Sequence, residues 1–133
     1  PGEGKRQANR MSNEREFHRF AGKPEGWSAE QPAGYGGRPD GASIDAQGDY
    51  WAAMYEGAQL VRLGPDGAQR AALAVPAQCP TMPCFGGDDL RTLFVTTARQ
   101  GRPAAELARL PDSGSVFHQR VDTPGLPVAF FED

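Results

Sequence analysis

The sequence predicts an all-β chain of antiparallel, four-stranded propeller blades, and three observations carry that expectation. Residues 39–51, Pro39-Asp40-Gly41-Ala42-Ser43-Ile44-Asp45-Ala46-Gln47-Gly48-Asp49-Tyr50-Trp51, pass from a Pro-Asp-Gly turn into a short alternating strand. A polar Gly turn and an aromatic strand follow. The same layout returns about 41 residues later as Thr81-Met82-Pro83-Cys84-Phe85-Gly86-Gly87-Asp88-Asp89, then Arg91-Thr92-Leu93-Phe94-Val95-Thr96, and a multi-strand period of about 40 to 45 residues marks propeller blades. Gly and Pro together supply 29 of 133 residues (17 and 12), yet apolar alternation persists between the turns. That combination fits a turn-rich β chain better than disorder.

The elements fall in order. Strands are expected at 42–45, 49–54, 58–63 and 69–75, which is one whole blade, and at 82–85, 92–97 and 115–120 in the next. Arg15 to Phe20 reads as a strand before them and Pro127 to Phe131 as one after, about nine strands in all, or two blades plus loose pieces. Ala104-Ala105-Glu106-Leu107-Ala108-Arg109-Leu110 has helix-forming residues enough for a short helical piece on a loop. Residues 1–14 are polar without apolar periodicity and read as a tail or loop, leaving 15–133 as the partial propeller domain. Residues 21–38 form a long Gly- and Pro-rich connection whose large apolar groups are Trp27 and Tyr35. A connection of that length is usually functional or packed on itself.

Charge and composition exclude several classes. A formal net charge of −3, with no basic stripe beyond the first twenty residues, gives no reason to expect a nucleic-acid partner. No apolar run reaches the length of a membrane span, so no membrane partner is expected. Cys79 and Cys84, with His18 and His118 distant in sequence, lack the ligand number and spacing of a zinc site; a local disulfide is geometrically open to them, but Cys84 falls at a small buried strand position and the two read as free thiols. Asp45, Asp49, Asp88 and Asp89 follow the alternation of solvent-facing turns. Trp51, Phe85, Phe94 and Phe117 alternate with small residues, as blade-packing side chains do.

The residues also carry a resemblance. Pro39-Asp40-Gly41-Ala42-Ser43-Ile44-Asp45, Gly48-Asp49-Tyr50-Trp51-Ala52-Ala53, Gln59-Leu60-Val61-Arg62-Leu63 and Pro65-Asp66-Gly67 resemble the senescence-marker/regucalcin/gluconolactonase family. Pro80-Thr81-Met82-Pro83-Cys84-Phe85-Gly86-Gly87, Leu93-Phe94-Val95-Thr96-Thr97-Ala98-Arg99 and Gly114-Ser115-Val116-Phe117 continue in the family's order, and Ser12 to Phe20 is similar to its preceding strand. The resemblance runs over residues 12 to 130 and implies the carboxyl-terminal part of a six-bladed propeller of about twice this length.

What it implies chemically is a metal-dependent sugar-lactone hydrolase. In that family a divalent cation polarises a lactone carbonyl, and its ligands are a Glu of a Glu-Gly-Pro motif, an Asn of an Asn-Gly turn and an Asp of a Pro-Asp-Gly turn. The resemblance assigns the last role to Asp40, as metal ligand and as base for the attacking water, with Ca²⁺ the expected ion and a small sugar lactone the ligand. A carboxylate is a hard oxygen donor suited to such an ion. The other two ligands have no counterpart. In Pro1-Gly2-Glu3-Gly4 the pair Glu3-Gly4 is followed by Lys5 where the family has Pro, and Asn9 and Asn13 precede Arg10 and Glu14 rather than Gly. Read without the family, Pro39-Asp40-Gly41 is ordinary turn chemistry, as Pro65-Asp66-Gly67 is. Arg38, just before it, is placed to line the channel mouth or to stand in solvent.

Because an open arc of blades leaves sheet edges and apolar faces uncovered, a homo-oligomer is expected. Two functions follow. The chain is part of a lactonase completed by another segment or copy, or it is a truncated, non-catalytic propeller relative that self-associates.

Overall fold

The computed structural model describes residues 11–30 and 34–129, and the first ten residues of the polar tail lie outside them. Seven strands and one short helix are found among the described residues. In chain order they are β1 (Arg38–Ile44), β2 (Tyr50–Tyr55), β3 (Gln59–Leu63), β4 (Gln69–Ala74), β5 (Pro80–Gly86), β6 (Thr92–Thr97), α1 (Ala104–Arg109) and β7 (Phe117–Arg120). All pairings are antiparallel, giving a four-stranded sheet β1-β2-β3-β4 and a three-stranded sheet β5-β6-β7. The chain is all-β and built of blade-like meanders, as the repeat requires.

The two sheets stack through an apolar seam. Trp51, Ala53 and Leu60 of the first sheet, with Val75 and Ala77 after it, meet Phe85, Leu93 and Val95 of the second. Trp51 and Phe85 pack edge to face, with ring centroids 6.1 Å apart. On the opposite face of the first sheet Ala52, Met54, Val61 and Leu63 form a second buried cluster, covered by Phe20 and Tyr50. This explains why Trp51-Ala52-Ala53-Met54 is buried without alternation: both faces of β2 are covered.

Four expectations need correction. Arg15 to Phe20 is not a strand; it lies irregular, with Phe17 against Tyr50 (6.1 Å between rings) and His18 Nδ1 2.7 Å from the carbonyl of Gly67. Side-chain docking on the sheet, rather than ladder bonds, holds it. Residues 127–129 are likewise not a strand, because Gly125 and Leu126 donate their amides to Leu90 and Ile44 and hold the chain across the ends of the sheets; Phe130 and Phe131 fall outside the described residues. Phe94 is not packed in the seam. It stands 37% exposed on the outer face of the second sheet, because the register of β5 and β6 gives that face to Phe94, Cys84 and Met82. Cys84, expected to be buried, is exposed for the same reason, while Cys79 is buried; both are free thiols.

Candidate functional site

Asp40 lies near the start of β1, the strand that runs beside β5 at the seam. The register between β1 and β2 shifts between Pro39 and Ala42, so Asp40 and Gly41 form an irregularity rather than a ladder pair. Bulges of this kind re-aim a side chain. Asp40 is exposed, and its carboxylate makes no hydrogen bond or ion pair among the described residues. The Pro39-Asp40-Gly41 stretch is therefore strand with a bulge, not a reverse turn. Gly41 is needed for space rather than for a left-handed φ: a Cβ there would run into Met82 Sδ and the carbonyl oxygen of Thr81. Pro65-Asp66-Gly67 is the genuine turn, with Gly67 at φ 81° and Asp66 Oδ1 accepting the Ala68 amide at 3.1 Å.

Antiparallel order brings further groups to the same end of the sheets as Asp40. The end of β2, the β2–β3 turn, the connection into β5 and the loop carrying α1 all meet there. Tyr55 sits between two guanidinium groups, Arg38 4.7 Å and Arg102 5.9 Å from its ring centre. Glu56, at a left-handed φ of 68°, is buried and pairs with Lys23 (2.7 Å) and Arg38 (3.2 Å). Glu106 is also buried and holds Arg102 through two bonds of 2.9 and 2.7 Å. That pairing keeps the Arg102 guanidinium charged well beyond its usual range. Burial pushes the Tyr55 phenol and the Cys79 thiol upward, so both are neutral at physiological pH. The sequence reading missed Glu56, Arg102 and Glu106. The Arg102-to-Glu106 spacing of four residues around a helical turn was the available signal. Nothing local to Glu56 marks it, because its partners lie 18 and 33 residues away.

At the opposite end of the first sheet, Asp45 and Asp49 are both 0% exposed, contrary to the reading of solvent-facing turns. Asp45 Oδ1 accepts the amides of Gln47 (2.9 Å) and Asp49 (3.0 Å), and its Oδ2 accepts the Trp51 indole N–H at 2.9 Å. Asp49 is held by Arg62 at 2.5 Å and Arg70 at 3.0 Å. The buried carboxylates are satisfied by named donors, so this network is structural. Asp89 remains exposed, as the sequence suggested for a turn, and pairs with Arg120, which holds its carboxyl well below the usual carboxylate range.

For a hard divalent cation these residues do not suffice. Among the described residues no three of His, Cys, Asp and Glu are grouped so as to hold a metal ion, and Asp40 stands as a single carboxylate at its bulge. Such ions take six to eight oxygens. No described helix is long and apolar enough to cross a membrane.

Comparison with known proteins places the chain. A sequence model of the SMP-30/Gluconolactonase/LRE-like region matches residues 3–99. The 6-deoxy-6-sulfogluconolactonase of Pseudomonas putida is 49% identical over 98 residues, which is 74% of this chain and 34% of that protein. Rabbit (Oryctolagus cuniculus) regucalcin is 39% identical over 80 residues, 59% of this chain and 27% of that protein. Among solved structures, a calcium-binding regucalcin from Agrobacterium tumefaciens strain C58 superposes with a TM-score of 0.66 at 30% identity, covering 72% of this chain and 32% of that one. The chain thus spans about a third of the length of the curated relatives it matches. With a blade repeat, a bulged Pro-Asp-Gly at the seam and this match over most of its length, the chain belongs to the SMP-30/gluconolactonase/LRE-like family.

Proposed function

We propose that this chain is the part of a sugar-lactone hydrolase that contributes Asp40 to a divalent-cation site, with Ca²⁺ as the ion and the remaining oxygens drawn from another segment or a second copy. The observation that carries the reading is an exposed carboxylate with no partner among the described residues, set on a bulge beside the β1–β5 seam. A carboxylate so placed is available both to an ion and to a proton from an attacking water. The name of the Pseudomonas relative points to a sulfonated sugar lactone as the substrate class. Calorimetric titration of the full chain with CaCl₂ is expected to show binding on the order of 1 mM, as befits a site short of ligands. Asp40→Asn is expected to abolish that heat. Equal heats in both proteins would return Asp40 to the role of a bulge residue, and robust lactone hydrolysis by the chain alone would show that its own residues complete the site.

A second reading, a self-associating and non-catalytic relative, is favoured by one observation. The outer face of the second sheet leaves Met82 42% and Phe94 37% exposed beside Cys84. Sedimentation is expected to give a dimer or larger species burying more than about 1,000 Å² at its contact. A monomer at micromolar concentration would remove this reading.

A further inference from the structure

Beyond Asp40, the loop end of the sheets holds a cleft of about 400 Å³ between the 23–30 connection and the loop that carries α1. Lys23, Trp27, Glu56, Arg102, Glu106 and Arg109 form its working walls, and Glu30 stands exposed at its rim. The formal charges of these groups balance, but what they still offer a ligand does not. Both wall carboxylates are buried and engaged, Glu56 by Lys23 and Arg38 and Glu106 by two bonds from Arg102. Their lone pairs are largely taken.

The donors are in surplus. Arg109 is exposed, and its contact among the described residues is a single long bond of 3.4 Å to Gln78 Oε1. Lys23 uses one proton on Glu56 and lies 5.3 Å over the Trp27 ring, keeping protons to spare. The Trp27 indole N–H is buried without an acceptor among the described residues. A buried donor left unpaired is costly, and any ligand that supplies an oxygen removes that cost.

We infer that this cleft is a binding site for a small ligand bearing an oxyanion, a carboxylate or a tetrahedral sulfonate, sulfate or phosphate group. Arg109 and Lys23 provide the charge, and the Trp27 indole provides a neutral donor after a small side-chain adjustment. Arg102, locked by Glu106, acts as wall rather than hand. The assignment stands whether or not the chain hydrolyses lactones; a sulfonated lactone under the reading above would present just such a group.

The test uses the two tryptophans of the chain. Only two indole N–H resonances appear in an amide correlation spectrum, and Trp51 is already bonded to Asp45. Titration of the full chain with sodium methanesulfonate, sulfate or acetate, against chloride at equal ionic strength, is expected to move the Trp27 resonance saturably. Stronger binding of methanesulfonate and sulfate would assign a tetrahedral oxyanion, and stronger binding of acetate a carboxylate. Arg109→Gln is expected to weaken the binding about tenfold, and Glu30→Gln to tighten it severalfold by removing the rim carboxylate. Neither substitution touches the buried pairs, so unfolding midpoints should stay near wild type. Movement of the indole resonance in chloride alone, or identical affinities in Arg109→Gln and wild type, would overturn the inference independently of any lactonase assay.

Discussion

Replacing Asp45 with Ala is expected to destabilise the chain by about 3–5 kcal/mol, the largest effect of any single carboxylate removal here. The substitution strips acceptors from the Gln47 and Asp49 amides and from the Trp51 indole, and removes one of two carboxylates facing Arg62. All of this happens at 0% exposure, where water does not replace the lost partners. Each orphaned donor costs about 1–3 kcal/mol, so three of them account for a loss of that size, a large fraction of the stability of a domain. Asp45→Asn is expected to cost less, because its amide oxygen still accepts from the two backbone N–H groups. Urea unfolding followed by tryptophan fluorescence reports the difference. A loss below about 1 kcal/mol for Asp45→Ala would mean that the network is dispensable and that the seam alone holds Trp51 in place.

The second large effect is expected at Gly41. Its backbone passes so close to β5 that a single methyl group meets Met82 Sδ and the Thr81 carbonyl oxygen. The sulfur is the end of a flexible side chain and moves aside cheaply; the carbonyl belongs to the neighbouring strand and does not. Gly41→Ala is therefore expected to cost about 1–3 kcal/mol by prising β1 from β5. Met82→Ala should restore only part of that loss, since the carbonyl clash remains. Full rescue by Met82→Ala would show that side-chain crowding, and not backbone approach, sets the requirement for glycine. Displacement at Gly41 also carries Asp40 with it, so under the metal-ligand role proposed for Asp40 any Ca²⁺ binding should weaken in step with stability.

These two positions show how differently parts of the chain could be read in advance. The seven strands and the helix near 104–109 follow from alternation, turn residues and the repeat, all of which act within a few residues of one another. Most strand ends lie within about two residues of those expected, because local turn chemistry sets them; β1 is the exception, starting at Arg38 because Pro39-Asp40-Gly41 is bulged strand and not a turn. Asp40 was singled out through its motif, but the motif could not say that Gly41 serves space rather than turn geometry. That depends on Thr81 and Met82, forty residues away.

The same distance in sequence hid the other features. Asp45 and Asp49 have the spacing of a solvent turn, yet arginines from β3 and β4 and the indole of Trp51 reach them and make burial tolerable. Phe94 and Cys84 follow a pattern that assigns them a shared face but not which face is covered, and the stacking of the sheets decides it. Glu56 and Glu106 acquire their role only when three loops converge at one end of the sheets. By itself the sequence determined the fold class and the seven sheet strands, because periodicity and turn propensity are local, while the candidate carboxylate Asp40 came from the family resemblance. Tertiary structure alone decided which charges are buried, which glycine is obligatory and where a cleft opens, because each depends on atoms that only packing brings within a few ångströms.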